Sequence, residues 1–423
     1  MKLRNLLFGT MIACAFVACS NDDDPINNGP DEINGTVLRA QADAPLATRA
    51  AGDDEAINSL TMLVFSNNAL EVVGDLKSAN VTEASNLVAG TKDVLVMANL
   101  PAATITELKG QVGKAETTVL ASLEKTLNAE NAEEAASSLT MNSKLYKGIT
   151  LTPNVINYLG WKELPGDGKL VGGITDATAK VQLYRNAAKV VLSSLKVKAN
   201  MEEGDRFPNP ALQVKSIFIL QGSAKTYLVG YEGTDTKTFG KEYGSTEVSN
   251  GGYLAGTTHV SADNDDFTVV GGADIYDKYK VENKSLISYT TPDAYIANES
   301  FYVYENTDAT NQTLLVVEGD FSYDTYVDGK VVRNEDNKGR YYTVALGVTD
   351  ANFNNDQAKA LLALRGVTAD AANGVYRNLQ YNVKLTVAGP GYQTPTHKGD
   401  PTVLDAQVEV VAYGYVDQDV TIE

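Results

Sequence analysis

The sequence predicts a mainly β protein with two β-sandwich domains and a few short helices. Short apolar strands recur along the chain with turn residues between them, which is typical of sandwiches. The composition favours strands, with 22 Tyr and 35 Gly among 423 residues. That length is enough for two domains, each with a core of its own. The two cysteines, Cys14 and Cys19, both lie near the N-terminus, so neither domain is expected to contain a disulfide.

The N-terminus predicts a lipoprotein signal peptide over residues 1–18. A basic start precedes an apolar run at 6–17, which is shorter than the roughly 20 residues of a membrane-spanning helix. The four residues that end at Cys19 resemble a bacterial lipobox, and the acidic triplet Asp22-Asp23-Asp24 resembles the export tag of surface lipoproteins. We therefore expect lipid on Cys19. Lipid on Cys14, or an ordinary signal peptide, remains an alternative.

The charge of the chain disfavours two classes of partner. There are 35 Lys and Arg against 54 Asp and Glu, a net charge of -19, and the acidic residues are spread along the sequence. Such a surface repels nucleic acid and anionic membranes. It suits a soluble domain exposed outside the cell.

Residues 19–49 are predicted to be a propeptide that contains one exchangeable strand. Pro and Gly recur there, as in a tether. Ile33–Ala40 has strand-forming residues without clean alternation, which would suit a single strand in the groove of another surface. Arg49 follows among small residues, directly before Ala50, and an exposed segment of this kind suits a trypsin-like protease. A solvated arginine, or a cut at Arg39 instead, remains open.

The N-terminal domain is predicted over residues 50–178, with the boundary near Thr178. Apolar strands are expected at Leu60–Phe65 and Lys92–Asn99. Helical spacing over Glu116–Asn128 predicts a helix that packs on the core.

The C-terminal domain is predicted over residues 179–402. One long strand is expected from Val181 to Val197, and one helix from Asp356 to Leu364, with Asn354 or Asn355 as its N-cap. Further predicted strands are Val214–Leu220, Phe301–Tyr304, Leu314–Glu318, Tyr341–Leu346 and Leu379–Val387.

The C-terminal segment, residues 403–423, contains the clearest amphipathic strand. Its apolar residues alternate with polar ones and share one face. They are Leu404, Ala406, Val408, Val410 and Ala412. Such a strand can pair with its own sheet or with that of a neighbour.

No pattern in the sequence predicts catalysis, a cofactor or a bound metal. The motifs of phosphate-binding loops, zinc proteases and serine hydrolases do not occur. His259 lies close to the acidic run Asp263–Asp266, but that run lacks the glycine and the distal glutamate of a calcium loop. A solvated turn is the simpler interpretation there. His397 falls in a predicted spacer loop.

Several segments together resemble the Bacteroidota major fimbrial subunit family, the fimbrillins of type V pili. The resemblance extends over essentially the whole chain and looks closest to the stalk subunits of shorter fimbriae. It implies transthyretin-like sandwiches and no enzyme activity. The segments that carry it, besides Cys19 and Arg49, are Val94–Asn99, Arg185–Val190, Phe301–Asn306 and Tyr376–Tyr381.

The resemblance also implies a way of assembly. The precursor would be lipid-anchored to the outer membrane, and an arginine-specific protease would cut after Arg49. The released strand, within Asp31–Ala42, would leave a groove that the C-terminal donor strand of another copy fills. The expected product is a head-to-tail polymer in a cell-surface fimbrium, with fimbrial tip and anchor subunits as further partners.

A different role for the chain remains open at this point. A fimbrial tip or anchor subunit, or a glycan-binding surface lipoprotein, would share the same export signals. The well-patterned C-terminal strand disfavours a tip position, and Arg49 disfavours an anchor that keeps its lipid. The single tryptophan, Trp161, gives little support for glycan binding.

Overall fold

The structure is a computed structural model, and it describes most of the chain between residues 35 and 412. The described residues are 35–43, 56–78, 80–126, 138–161, 163–172, 181–198, 206–223, 225–229, 253–254, 256–261, 264–270, 280–282, 285–291, 299–307, 312–347, 355–364, 366–368, 374–393, 395 and 404–412.

The first half of the chain forms short strands and two helices, α1 (Ala102–Lys109) and α2 (Glu116–Ser122). Its strands are β1 (Thr36–Asp43), β2 (Leu60–Ser66), β3 (Ala69–Ser78), β4 (Val81–Leu87), β5 (Gly90–Ala98), β6 (Glu124–Thr126), β7 (Met141–Asn142), β8 (Tyr146–Leu151), β9 (Ile156–Leu159), β10 (Lys169–Val171), β11 (Val181–Gln182) and β12 (Tyr184–Arg185).

The second half is also built from strands, with one further helix, α3 (Asp356–Ala363). Its strands are β13 (Ala187–Val197), β14 (Ala211–Leu220), β15 (Gly222–Ser223), β16 (Lys225–Tyr227), β17 (Tyr253–Leu254), β18 (Gly256–Ser261), β19 (Asn264–Val270), β20 (Lys280–Glu282), β21 (Leu286–Ser288), β22 (Glu299–Tyr304), β23 (Leu314–Val327), β24 (Lys330–Ala345), β25 (Leu379–Val387) and β26 (Leu404–Ala412). The mainly β fold is confirmed.

The N-terminal strands form one continuous path that folds back on itself around a core. The order is β10-β9-β1-β4-β3-β2-β5-β7-β12, with β11 paired to β1 and β8 to β5. Leu38 and Ala84, from one end of the path, share a core with Val64 and Val96 from the other. Since these side chains meet, the two ends of the path face each other as the layers of a sandwich.

The helices cover the outer side of β2 and β5. Leu63 and Met97 point to this side and pack with Leu108 of α1 and Val119 of α2. Helix α2 is shorter than the pattern over Glu116–Asn128 predicts. The chain leaves the helix at Leu123 and enters β6, which pairs with β16 from the second half.

In the described residues, the second half has two larger sheets, ordered β17-β15-β22-β13-β25-β26 and β20-β14-β23-β24, with β21 paired to β14, and a separate pair, β18 and β19. Apolar residues of β13 and β25, such as Val190 and Val383, share the core with Leu212 and Leu315 of β14 and β23. The two sheets therefore pack face to face.

The strand expected from Val181 to Val197 is interrupted at Asn186. β12 pairs with β7 in the N-terminal sheet, whereas β13 pairs with β22 and β25 in a C-terminal sheet. The chain changes from one sheet to the other between Arg185 and Ala187, so a single straight strand cannot form. The predicted boundary near Thr178 lies a few residues before this change of pairing and stays a prediction.

A buried arginine of the second half contacts the chain at this point. The Arg377 side chain is 0% exposed and donates to Oδ1 of Asn186 at 3.1 Å, to the Tyr227 carbonyl at 2.8 Å and to Oγ1 of Thr226 at 3.2 Å. Its Nε lies 3.9 Å from Oε2 of Glu305. Three of the segments that carry the family resemblance, Arg185–Val190, Phe301–Asn306 and Tyr376–Tyr381, thus meet at one junction.

β23 and β24 form a long hairpin that extends beyond the strands beside it. The turn is Asp328-Gly329, with φ angles of 51° and 73°, as in the tight turns that match strand twist. Near the tip, Tyr326 and Val331 are exposed. The predicted strands Leu314–Glu318 and Tyr341–Leu346 are only the buried ends of this hairpin.

Helix α3 agrees with its prediction. Oδ1 of Asn355 accepts a hydrogen bond from the Ala358 backbone at 2.8 Å, so Asn355 is the N-cap. None of the helices in the described part of the chain is both long and apolar enough to cross a membrane.

Candidate functional site

β1 is the part of the predicted propeptide that the structure describes, and it lies inside the N-terminal sheet. It runs antiparallel to β4, with Arg39 opposite Glu83, and parallel to β9, with Ala40 opposite Leu159. It therefore forms hydrogen bonds along both edges. Removing β1 would leave a groove with unpaired backbone groups on both sides.

The inward face of β1 is fully buried. Leu38, Ala40 and Ala42 are each 0% exposed and belong to the main core. Val37 points to the opposite face and packs with Ile156 and Tyr158. This alternation is clearer than the sequence of Ile33–Ala40 suggests, because the strand begins at Thr36 and its inward residues include two alanines.

The outward face of β1 carries an ion pair that is mostly shielded from solvent. Nε of Arg39 lies 2.6 Å from Oε2 of Glu83, and Lys77 approaches the other carboxylate oxygen at 3.3 Å. Burial alone raises the pKa of Glu83. The hydrogen bond and charge of Arg39, with a smaller contribution from Lys77, outweigh burial and hold the pKa below its usual value.

Polar contacts hold both ends of β1. At the start, Nδ2 of Asn157 donates to the Val37 carbonyl at 3.2 Å. At the end, the Ala42 backbone donates to the Asn80 carbonyl at 3.0 Å.

Gly160 has a φ of 89°, and a Cβ there would lie 2.4 Å from the Gln41 carbonyl oxygen. The groove therefore requires glycine at this position.

β26 contains the predicted donor residues and occupies a different position. It pairs antiparallel with β25 along its whole length, from Leu404 opposite Val387 to Ala412 opposite Leu379. It is the last strand of its sheet among the described residues. The C-terminal strand is thus folded back on its own subunit, one of the two arrangements that the sequence left open.

The apolar face of β26 is only partly buried there. Leu404 is 4% exposed, whereas Ala406 is exposed and Val408 is half-buried. Val410 and Ala412 lie within the strand. β1 and β26 belong to separate sheets, so the structure does not bring the two predicted strands together.

The other predicted processing residues lie outside the described part of the chain. These are Cys19, Arg49 and Ala50, together with residues 403 and 413–423 of the predicted donor segment. Arg39, the alternative cleavage position, lies in the middle of β1 and is paired with Glu83. A protease needs an extended, accessible segment, which disfavours Arg39.

The remaining candidates do not form a site in the described residues. His259 lies in β18 opposite Phe267, and Asp265 and Asp266 lie in β19. Asp263 and His397 lie outside the described part. Within that part, no group of His, Cys, Asp and Glu is arranged to hold a metal ion. Trp161 packs edge-on against Tyr158, with 5.1 Å between the centres of the two rings.

Solved structures share this fold over nearly the whole chain. A crystal structure described as a cell adhesion protein from Parabacteroides distasonis superposes with a TM-score of 0.64 at 22% identity, covering 90% of this chain and 99% of its own. A fimbrilin from Porphyromonas gingivalis gives a TM-score of 0.52 at 19% identity, covering 91% and 98%. The chain therefore has the fold of this class of surface adhesion proteins.

Sequence comparison points to one family within that class. Residues 35–201 match the family described as Major fimbrial subunit protein (FimA). Major fimbrium subunit FimA type-2 of P. gingivalis is 25% identical over 447 residues, covering 99% of both chains, and FimA type-3 is 25% identical, covering 93% and 92%. The resemblance to the major fimbrial subunit family is confirmed, and these relatives are structural subunits, not enzymes.

Proposed function

We propose that this chain is the stalk subunit of a cell-surface fimbrium and assembles by donor-strand exchange. It is exported as a lipoprotein on Cys19, anchored to the outer membrane, and cut between Arg49 and Ala50 by an arginine-specific protease. The C-terminal strand of one copy then replaces β1 in another. Tip and anchor subunits join the same fibre, which serves adhesion.

The central observation is the contrast between β1 and β26. β1 is paired on both edges with its inward side chains buried, whereas β26 is paired on one edge and leaves part of its apolar face exposed. A strand that leaves the position of β26 and takes the position of β1 gains one hydrogen-bonded edge. At about 0.5–1.5 kcal/mol net for each hydrogen bond, that edge contributes several kcal/mol.

The geometry also supports an open polymer. The groove lies in the N-terminal sandwich and the donor strand in the C-terminal one, so acceptor and donor are separate surfaces of each subunit. Contacts of this head-to-tail kind extend without closing unless a rotation happens to form a ring.

The processing step is tested with an arginine-specific protease and purified precursor. We expect a new N-terminus at Ala50, read by mass spectrometry, followed by ladders that resist SDS without boiling. Arg49→Ala should stop both events. The matched control is Arg39→Lys, which removes the alternative cleavage position but keeps its charge beside Glu83. Ladders from Arg49→Ala would refute the cleavage step.

The exchange step is tested on the C-terminal strand. Deletion of residues 403–423 should leave cleaved monomers. A milder pair of variants compares the two faces of the strand: Val408→Asp places a charge on the apolar face and should block ladder formation, whereas Gln407→Asp should permit it. Ladders that survive the deletion would rule out donor-strand exchange.

A further inference from the structure

The two strands that would exchange are close copies of each other in sequence. Residues 36–43 read Thr-Val-Leu-Arg-Ala-Gln-Ala-Asp, and residues 402–409 read Thr-Val-Leu-Asp-Ala-Gln-Val-Glu. Five positions are identical, and the last exchanges one acid for another. The structure places the first segment in β1 and most of the second in β26.

We propose that this repeat sets the register and the direction of the exchange. Leu404 of one copy takes the position of Leu38 in the next, and the strand continues residue for residue, parallel to β9 and antiparallel to β4. The proposal rests on the proposed function and adds to it the alignment of the two strands. The occupant of the groove is therefore a second copy of this chain.

The buried face supports this alignment. Leu38, Ala40 and Ala42 are fully buried, and the repeat replaces them with Leu404, Ala406 and Val408. Only the last position becomes larger. A shift by two residues would instead place Val408 where Ala40 lies in the packed core, and a shift by one would turn the polar residues inward.

The outward face changes its charge at one position, and this difference provides the test. Arg39 pairs with Glu83, whereas the proposed alignment places Asp405 opposite Glu83. Nζ of Lys77 lies 3.3 Å from Oε1 of Glu83, and the Lys77 side chain is 47% exposed. In the proposed alignment, Lys77 is therefore the one cation near both carboxylates, those of Glu83 and Asp405. β1 thus has the better outward contact, the ion pair of Arg39 with Glu83. This ion pair favours β1 in the groove until the chain is cut after Arg49.

Cysteine cross-linking tests the alignment directly. Cys14 and Cys19 precede Arg49, so cleaved subunits contain only introduced cysteines. Residues directly opposite on antiparallel strands have Cβ atoms about 4.5–5.5 Å apart, near the separation that a disulfide bridges. Glu83→Cys combined with Asp405→Cys should give ladders that survive boiling in SDS and disappear with reductant.

Matched pairs distinguish the possible outcomes. Glu83→Cys with Gln407→Cys, or with Glu409→Cys, should form polymers but few cross-links, because these pairs need shifts of two or four residues. A stronger cross-link in either control, or polymers without the 83–405 cross-link, would overturn the alignment alone. If the unsubstituted chain forms no polymer after cleavage, the proposed function fails as well.

A charge exchange gives a second, independent test. Asp405→Arg restores the partner that Glu83 has in β1, and should increase the rate of ladder formation about threefold. Adding Glu83→Gln should cancel that gain. Glu409→Arg makes the same change in net charge four residues further along, and its effect should not depend on Glu83. An equal response to Glu83→Gln in both variants would contradict the alignment.

Discussion

Arg377 is a buried charge beside Asn186, where the chain passes from the first half to the second. Its guanidinium is fully buried and contacts Asn186, Thr226, Tyr227 and Glu305. A buried charge is tolerated only when its partners are present. The arginine therefore fixes Asn186, where the chain passes from the first half to the second, against β16 and Glu305.

Arg377→Met should lower the free energy of unfolding by about 3–5 kcal/mol, because it removes the positive charge beside the buried Glu305 carboxylate and the donor of the Tyr227 carbonyl. Denaturation with guanidinium measures the loss. Lys109→Ala is the control, since Lys109 and Asp75 are both largely exposed, and its cost should stay below about 1 kcal/mol. Equal losses in the two variants would contradict the role given to Arg377.

Glu83 makes the stability of the docked β1 depend on pH. Its pKa in the folded precursor lies below the ordinary value of 4.5, so its contribution is complete above pH 4.5 and is lost as pH falls through the lowered pKa. Glu83→Gln should therefore destabilise the precursor at pH 7, by up to about 1 kcal/mol for a partly exposed pair.

This difference between wild type and Glu83→Gln should disappear in acid. Unfolding measured from pH 7 to pH 3 gives the difference as a function of pH, and hydrogen exchange of residues 36–43 at pH 7 should be faster in the variant. A difference that grows as the pH falls would show that Glu83 does not hold β1.

At the scale of elements, Gly160 limits what can lie at the end of the groove. Its backbone approaches the Gln41 carbonyl so closely that a Cβ would lie 2.4 Å from that oxygen. The same contact is expected for any strand that replaces β1. In the proposed exchange, the glycine would therefore be needed both before and after β1 is replaced.

Gly160→Ala should weaken both β1 docking and ladder formation. Gly148→Ala is the matched control, because Gly148 also has a positive φ, 71°, but has open space where its Cβ would be. The control should cost about 1 kcal/mol from backbone conformation alone. Thermal unfolding of the precursor and ladder yield after cleavage compare the two variants, and equal effects would argue against a clash at the groove.

The elements differ in how far their sequences reveal them. β2, β5 and α3 could be predicted because each has a continuous apolar run or a capping residue that acts locally. The β23–β24 hairpin could be predicted only at its buried ends, since its outer part is exposed and mixes apolar and polar residues on both faces. α2 ends early because Leu123 leads into β6, whose partner β16 is about 100 residues away.

The candidate site was visible in part. The sequence indicated an isolated strand before Arg49 and an amphipathic strand at the C-terminus, but alternation alone could not show that the two are related. The relation appears only when residues 36–43 are aligned with residues 402–409, because the two segments share most of their sequence. The Arg377 junction could not be predicted from spacing, because its partners come from three distant segments.

At the scale of the whole molecule, charge should control the rate of assembly. Residues 1–49 contain 4 basic and 6 acidic residues, so their removal leaves 31 against 48 and a net charge of -17. Two such subunits repel each other before they meet. Salt shortens the range of this repulsion, to a Debye length of about 8 Å at 0.15 M from about 30 Å at 0.01 M.

Ladder formation by cleaved subunits should therefore be faster at the higher salt concentration, by roughly a factor of ten. Stopped samples at a fixed subunit concentration measure the rate. Sucrose of equal osmolality is the control and should have little effect. A rate that falls with added sodium chloride would mean that attraction between charges guides the encounter.

The connection between β1 and β2 has a consequence for timing. While that connection is intact, β1 is an intramolecular ligand of its groove, and its effective concentration does not depend on the concentration of the subunit. A cut after Arg49 would break no contact of β1, yet it would separate the strand, which stays with the lipid on Cys19, from the rest of the subunit, and a subunit that has diffused away cannot take β1 back. Proteolysis would then set the moment of assembly by mass action alone.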